Sequence, residues 1–146
     1  MEFLVAIDLS DLTEVVIEEA KKIAKPLNAK IWLVHIAEPD PYFVSWEAGP
    51  DTERDSVASK FHAEHVTLQK YAEELRTDGI DCVALLIQGE TVKNILKEAK
   101  KLSVDMIIIG THGKGAAMRL LLGSTSEGIL HSSPIPMLII PTHKRA

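Results

Sequence analysis

The 146-residue chain carries a net charge of −5 and one cysteine. That length fits a single domain, residues 1–146, burying roughly two thirds of the surface its unfolded form exposes. Acidic and basic residues are interspersed along the chain, which argues against nucleic acid as a partner because no basic footprint is present to neutralise phosphates.

The first strand is read at about Phe3 to Ile7, followed by Asp8. It is too short and too poorly flanked for a signal peptide. No run approaches membrane-spanning length, and Cys82 has no intramolecular disulfide partner, so a cytoplasmic, reducing location with no membrane partner is expected. Asp11, three residues before Glu14, offers a capping box. Val16, Ala20, Ile23 and Leu27 then recur at helical spacing until Pro26 and Asn28 end the pattern. The second strand is Ile31 to Ile36.

From Glu38 to Asp55 the composition changes: Pro39, Pro41, Gly49 and Pro50 break structure, while Tyr42, Phe43 and Trp46 supply bulk. This reads as a long loop, either a cover for a site or a segment packed down by its own aromatics. Beyond it Ala58, Phe61, His65, Leu68, Ala72 and Leu75 step by three and four, giving a long amphipathic helix that stops before Gly79. Cys82 to Ile87 forms the third strand, and after Gly89 a helix carries Val92, Ile95, Leu96 and Ala99 on one face.

Met106 to Ile109 is the fourth strand; four consecutive apolar residues suit a strand covered on both faces. A short helix is expected after Ser124 with Ile129 and Leu130 inward, closed by Pro134 and Pro136, and Met137 to Ile140 completes five strands. Strands and helices alternating in this way predict an α/β doubly wound, Rossmann-like sheet, mainly parallel, with helices on both faces. Ligands of such sheets sit beyond the carboxyl ends of the strands where strand order reverses.

The chemistry concentrates behind the fourth strand, where the chain reads Gly110-x2-Gly113-x9-Gly123-Ser124. Glycines leaving a buried strand let backbone N–H groups approach an anion, and a serine at a helix start adds a hydroxyl. A phosphate chain is the natural ligand. Other phosphate and hydrolase signatures fail. There is no Walker A loop, the Rossmann pattern begun at Gly113 meets Met118 at its third position, and the third strand ends in Ile87 and Gln88 without a phosphoacceptor aspartate. Around Ser126 the Gly-x-Ser-x-Gly elbow is one residue too long. His62 and His65 lack the further ligands a metal needs.

Gly110, Gly113, Gly123 and Ser124, with the opening "VAIDLS", the second-strand "LVHIAE" and the closing "SSPIPMLIIP", resemble the nucleotide-binding branch of the universal stress protein family across essentially the whole chain. The resemblance implies that Ile7 and Asp8 reach the adenosine end of the ligand and that Ile36 meets the adenine through its backbone. It also implies that Ile109, Gly110, His112, Gly113, Gly123, Ser124 and Thr125 wrap ribose and phosphates. ATP or AMP is the implied ligand, with Mg2+ or Mn2+ bridging phosphates and no metal ligand assigned to the protein. A homodimer through the C-terminal edge strand is implied as well; an apolar edge is a liability unless covered.

Each assignment has a plainer counterpart. Ser124 or Thr125 can serve as a helix cap, Asp8 can close the next turn, and His35 reads as a hydrogen-bonded structural histidine. Lys114 reads as solvated, while Arg119 either reaches a phosphate or is solvated on a short helix within the mostly apolar stretch Ala116 to Leu122, and it is left out of the site. Two functions remain in view: a stress-response adenine-nucleotide switch or partner-binding module, and a slow ATPase or nucleotide-dependent transferase whose base is Glu47, Asp51 or Glu53. No catalytic residue is assigned, for no acid, base or arginine finger is visibly placed at a γ-phosphate.

Overall fold

The computed structural model describes residues 1–38, 51–111 and 123–142, with the backbone alone for 51–57. The described residues include five strands: β1 (Glu2–Ile7), β2 (Lys30–Ala37), β3 (Cys82–Gln88), β4 (Met106–Gly110) and β5 (Met137–Ile140). They form one parallel sheet in the order β3-β2-β1-β4-β5. The helices are α1 (Thr13–Leu27), α2 (Asp51–Thr77), α3 (Thr91–Lys101) and α4 (Ser124–Ser132).

Alternation along the strands builds two cores. Phe3, Val5, Ile31 and Leu33 pack with Val16, Ile17 and Ala20 of α1 and Leu68, Ala72 and Leu75 of α2. Leu4, Ala6, Val34 and Ile107 turn to the other face, against Ile95 and Ala99 of α3 and Ile129 of α4. Ile107, Ile108 and Ile109 are all buried, as a central strand covered by helices on both faces requires. The expected doubly wound fold is therefore observed. The chain leaves β1 toward β2 on one side and returns through β4 on the other, so strand order reverses between β1 and β4.

Several boundaries differ from the expected ones. The capping box is not formed: the residue before α1 is Leu12, with no side-chain cap. Asp8 Oδ1 instead accepts the Ser10 N–H at 3.0 Å, and Ser10 Oγ accepts the Leu12 N–H at 3.2 Å. These two local turns use the short polar side chains before Asp11 can act. At its other end α1 continues through Pro26 and stops at Asn28, which adopts φ +49°; Ala29 N–H closes back on the Ala24 carbonyl at 3.0 Å.

α2 begins at Asp51, so the segment after β2 is shorter than expected. Its apolar stripe is buried only from Leu68 onward; Ala58, Phe61 and His65 are exposed, because the first half of the helix lies beyond the core. In α4, Ile129 is fully buried but Leu130 is exposed, one helical step around the axis. Among the described residues no helix is long and apolar enough to cross a membrane.

Candidate functional site

The turn after β1 departs from ordinary backbone geometry. Leu9 has φ +59°, a conformation uncommon outside glycine, asparagine and aspartate. It directs the chain from the strand end into the Asp8–Ser10–Leu12 turns and on to α1. Asp8 is thereby half-buried at the carboxyl end of β1, and its turn-closing role is realised.

On the other side of the strand-order reversal, β4 ends at Gly110, and a cluster of hydrogen bonds fixes the chain on leaving it. Thr111 N–H donates to the Ile140 carbonyl at 2.9 Å, and the Thr111 carbonyl accepts the Gly123 N–H at 2.6 Å. Thr142 N–H donates to Thr111 Oγ1 at 3.1 Å, and the two threonine hydroxyls lie 3.1 Å apart. The two ends of the segment 112–122 are therefore joined at its base.

Gly123 is the residue before α4, in extended conformation and without a side-chain cap. The capping alternative for Ser124 is thus not what is observed. Ser124 is exposed and Thr125 half-exposed at the helix start, where first-turn N–H groups lack intrahelical acceptors and the helix dipole is positive. Ser126 is buried, and its hydroxyl donates to the Gly110 carbonyl at 2.6 Å. That bond draws α4 against the end of β4 and satisfies the Gly110 carbonyl oxygen.

On the far side of β1, His35 of β2 is paired in register with Ile7. Its Nδ1 donates to the Ile7 carbonyl at 2.9 Å, and its Nε2 lies 3.3 Å from Glu64 Oε2 on α2. The hydrogen-bonded role expected for His35 is therefore met. Ile36, the next residue, is buried on the opposite face with Ile109.

The fold brings Ile7, Asp8, Ile36, Ile109, Gly110, Gly123, Ser124 and Thr125 to the carboxyl ends of neighbouring strands and the start of α4. His112 and Gly113 lie outside the described residues, as do Lys114, Arg119 and Glu47; Asp51 and Glu53 are within α2 but only as backbone. Ser126, Thr111 and Thr142 carry no motif that singles them out in the sequence. The one signal for Ser126 is a small hydroxyl residue spaced three before Ile129, on the inward side of a nine-residue helix.

Among the described residues no group of three or more His, Cys, Asp or Glu side chains is arranged to hold a metal ion. Cys82 is buried, and burial pushes its thiol up to about 11, so it packs as a small apolar group rather than presenting a thiolate.

These features define a parallel, doubly wound α/β protein whose strand order reverses between β1 and β4, with the first turn of α4 held against the end of β4. The chain belongs to the universal stress protein family, whose model matches residues 1–141. It is 32% identical over 139 residues to a Thermus aquaticus universal stress protein, covering 94% of this chain and 96% of the relative. A Mycolicibacterium smegmatis universal stress protein is 33% identical over 141 residues; the match covers 94% of this chain but only 47% of that longer relative.

Among solved structures, the hypothetical protein MJ0577 superposes with a TM-score of 0.82 at 23% identity, covering 99% of this chain and 97% of its own. A universal stress protein in complex with cAMP superposes at 0.72 and 19% identity, with 98% of each chain covered. One from Archaeoglobus fulgidus in complex with dAMP does so at 0.65 and 20%, covering 96% of this chain and 97% of its own. At these identities the structural likeness defines the fold.

Proposed function

We propose that this chain, acting as one domain, binds an adenine nucleotide at the β1/β4 reversal and works as a ligand-dependent switch or partner-binding module. The observation that carries the reading is the convergence at one strand-order reversal of Asp8, Ile36, the end of β4 and the N-terminus of α4. Such reversals are where open α/β sheets receive ligands, and a helix N-terminus suits a phosphate. Two structural relatives are complexes with cAMP and dAMP, ligands that share adenine, a sugar and one phosphate.

In this reading Ile7 and Asp8 meet the adenosine end, the backbone of Ile36 meets the base, and Ile109, Gly110, His112, Gly113, Gly123, Ser124 and Thr125 surround ribose and phosphates. Among the described residues no group of three or more His, Cys, Asp or Glu side chains is arranged as a dedicated metal site. A Mg2+ or Mn2+ accompanying ATP would therefore take its ligands chiefly from phosphates and water, the usual arrangement for Mg2+. β5 forms one edge of the sheet with Met137, Leu138 and Ile139 half-exposed. Pairing of that edge in a homodimer would cover it.

Mass spectrometry of nucleotide released from the purified protein, with thermal shift in AMP, cAMP and ATP, tests the reading. Ligand at 100 times its Kd stabilises by about 2.7 kcal/mol, a rise of about 5–10 °C for a domain of this size. Gly113→Val is expected to abolish the shift. Absence of released nucleotide together with absence of any shift would refute the proposal.

A further inference from the structure

The buried histidine at the end of β2 has a bonding arrangement that its protonation decides. His35 Nδ1 faces the Ile7 carbonyl at 2.9 Å and Nε2 faces the Glu64 carboxylate at 3.3 Å. Both partners are acceptors. The carbonyl fixes a proton on Nδ1, so a neutral ring turns the Nε2 lone pair toward a carboxylate, whereas an imidazolium donates to both. The His35 side chain is 8% exposed and that of Glu64 18%, so water offers little alternative to either.

The position of this pair gives it reach. Residues 58–67 of α2 are exposed apart from Glu64, which is half-buried. The other side-chain hydrogen bonds from this stretch, Thr67 to the Ala63 carbonyl and Gln69 with His65, stay within the helix. Among the described residues the His35–Glu64 contact is thus the hydrogen bond that ties this half of α2 to the sheet. At its other end His35 holds the carbonyl of Ile7, next to Asp8, and is itself next to Ile36.

We propose that His35 is a proton-responsive positioning residue. As an imidazolium it latches the first half of α2 to the ends of β1 and β2, and on losing its Nε2 proton it releases Glu64 and loosens the Ile7–Asp8 and Ile36 side of the β1/β4 reversal. The consequence for ligand affinity rests on the nucleotide reading above; the latch itself does not.

The groups around the pair leave the histidine as the responsive member. In register, its neighbours are Ile7 on β1 and Leu86 on β3, neither titratable. Asp8 at the end of β1 is engaged with Ser10 N–H. On α2, Lys60 and His65 are exposed, and Tyr71 lies two turns beyond Glu64, its hydroxyl pushed up by burial and then by Glu14 of α1 and Glu74.

Hydrogen exchange on the full chain, expressed as protection factors at pH 6 and pH 8, tests the latch in the wild type and in His35→Asn and Glu64→Gln. Asparagine keeps a donor for the Ile7 carbonyl but does not titrate; glutamine can accept from or donate to Nε2 in either state. Protection of amides 60–67 is expected to be about threefold to tenfold higher at pH 6 in the wild type, the scale of one partly exposed charge-assisted hydrogen bond, and independent of pH in both variants. AMP affinity by calorimetry is expected to show the same pattern. Equal protection at the two pH values, or a pH dependence that survives in both variants, overturns the proposal. Failure to bind AMP at either pH would refute the nucleotide reading, while the exchange data would still decide the latch.

Discussion

Replacing Ser126 by alanine removes one oxygen from the interior and leaves the Gly110 carbonyl without the hydroxyl that meets it at 2.6 Å. The side chain is 3% exposed, so water cannot readily substitute. The bond itself contributes about 1 kcal/mol and the desolvated carbonyl adds a comparable penalty, giving about 1–2 kcal/mol of destabilisation. For a domain of this length that lowers Tm by about 3–6 °C. The same change loosens the hold of α4 on the end of β4, so under the nucleotide reading AMP affinity is expected to fall about threefold to tenfold, the factor for a net loss of about 1 kcal/mol at the site. Calorimetric unfolding and isothermal titration on the same preparation measure both. A Tm within about 1 °C of the wild type would refute the reasoning, because it would mean the hydroxyl contributes nothing in its buried position.

Three further outcomes are expected. Gly89→Ala should destabilise by about 2 kcal/mol or more in urea unfolding, since Gly89 has φ +144° and an added Cβ would lie 2.5 Å from Asn94 Nδ2, on a side chain already held by the Glu90 carbonyl. Ile129→Ala should cost about 2–5 kcal/mol by opening a cavity between α4 and the sheet, whereas Leu130→Ala, at a 48% exposed position, should stay within about 1 kcal/mol. Cys82 should resist iodoacetamide at pH 8 until the chain unfolds. With its thiol raised from 9.0 to about 11 by burial, the folded state retains a proton that the unfolded state releases, so the associated stability is present below pH 9 and is lost as pH rises toward 11; Cys82→Ala should remove that part of the alkaline decline.

The sheet is legible in the sequence because its strands announce themselves. Met106 to Ile109 is apolar without interruption, and the three long crossovers between the first four strands admit little but a parallel arrangement. The start of α2 is not legible, because Gly49 and Pro50 look like loop punctuation although proline is also favoured at a helix start. Spacing overstates burial along α2 for a related reason: the three-and-four steps of Ala58, Phe61 and His65 define a face but not whether the sheet extends beneath it.

Of the candidate site, the glycine spacing and Asp8 at a strand end leave local marks in the sequence, whereas Ile36 is pointed to by the family resemblance alone. The partners that hold these residues in place leave no such marks. His35 meets Glu64 across 29 positions of sequence and Thr111 meets Thr142 across 31, and neither pairing can be deduced from spacing. Asp11 has the right residue type for a cap and loses to Asp8 and Ser10, whose turns form earlier in the chain.

The closure between Thr111 and Gly123 separates two demands on the segment it spans. Because the stem is fastened by the 2.6 Å bond from Gly123 N–H and anchored to β5 through Ile140 and Thr142, the entropy of bringing the ends of 112–122 together is already met by the scaffold, and the residues between can vary in length and sequence at small further cost. The fold itself therefore places little demand on residues 112–122. Under the nucleotide reading it is the ligand, through Gly113, that would constrain them, so stability and binding are separable in this segment.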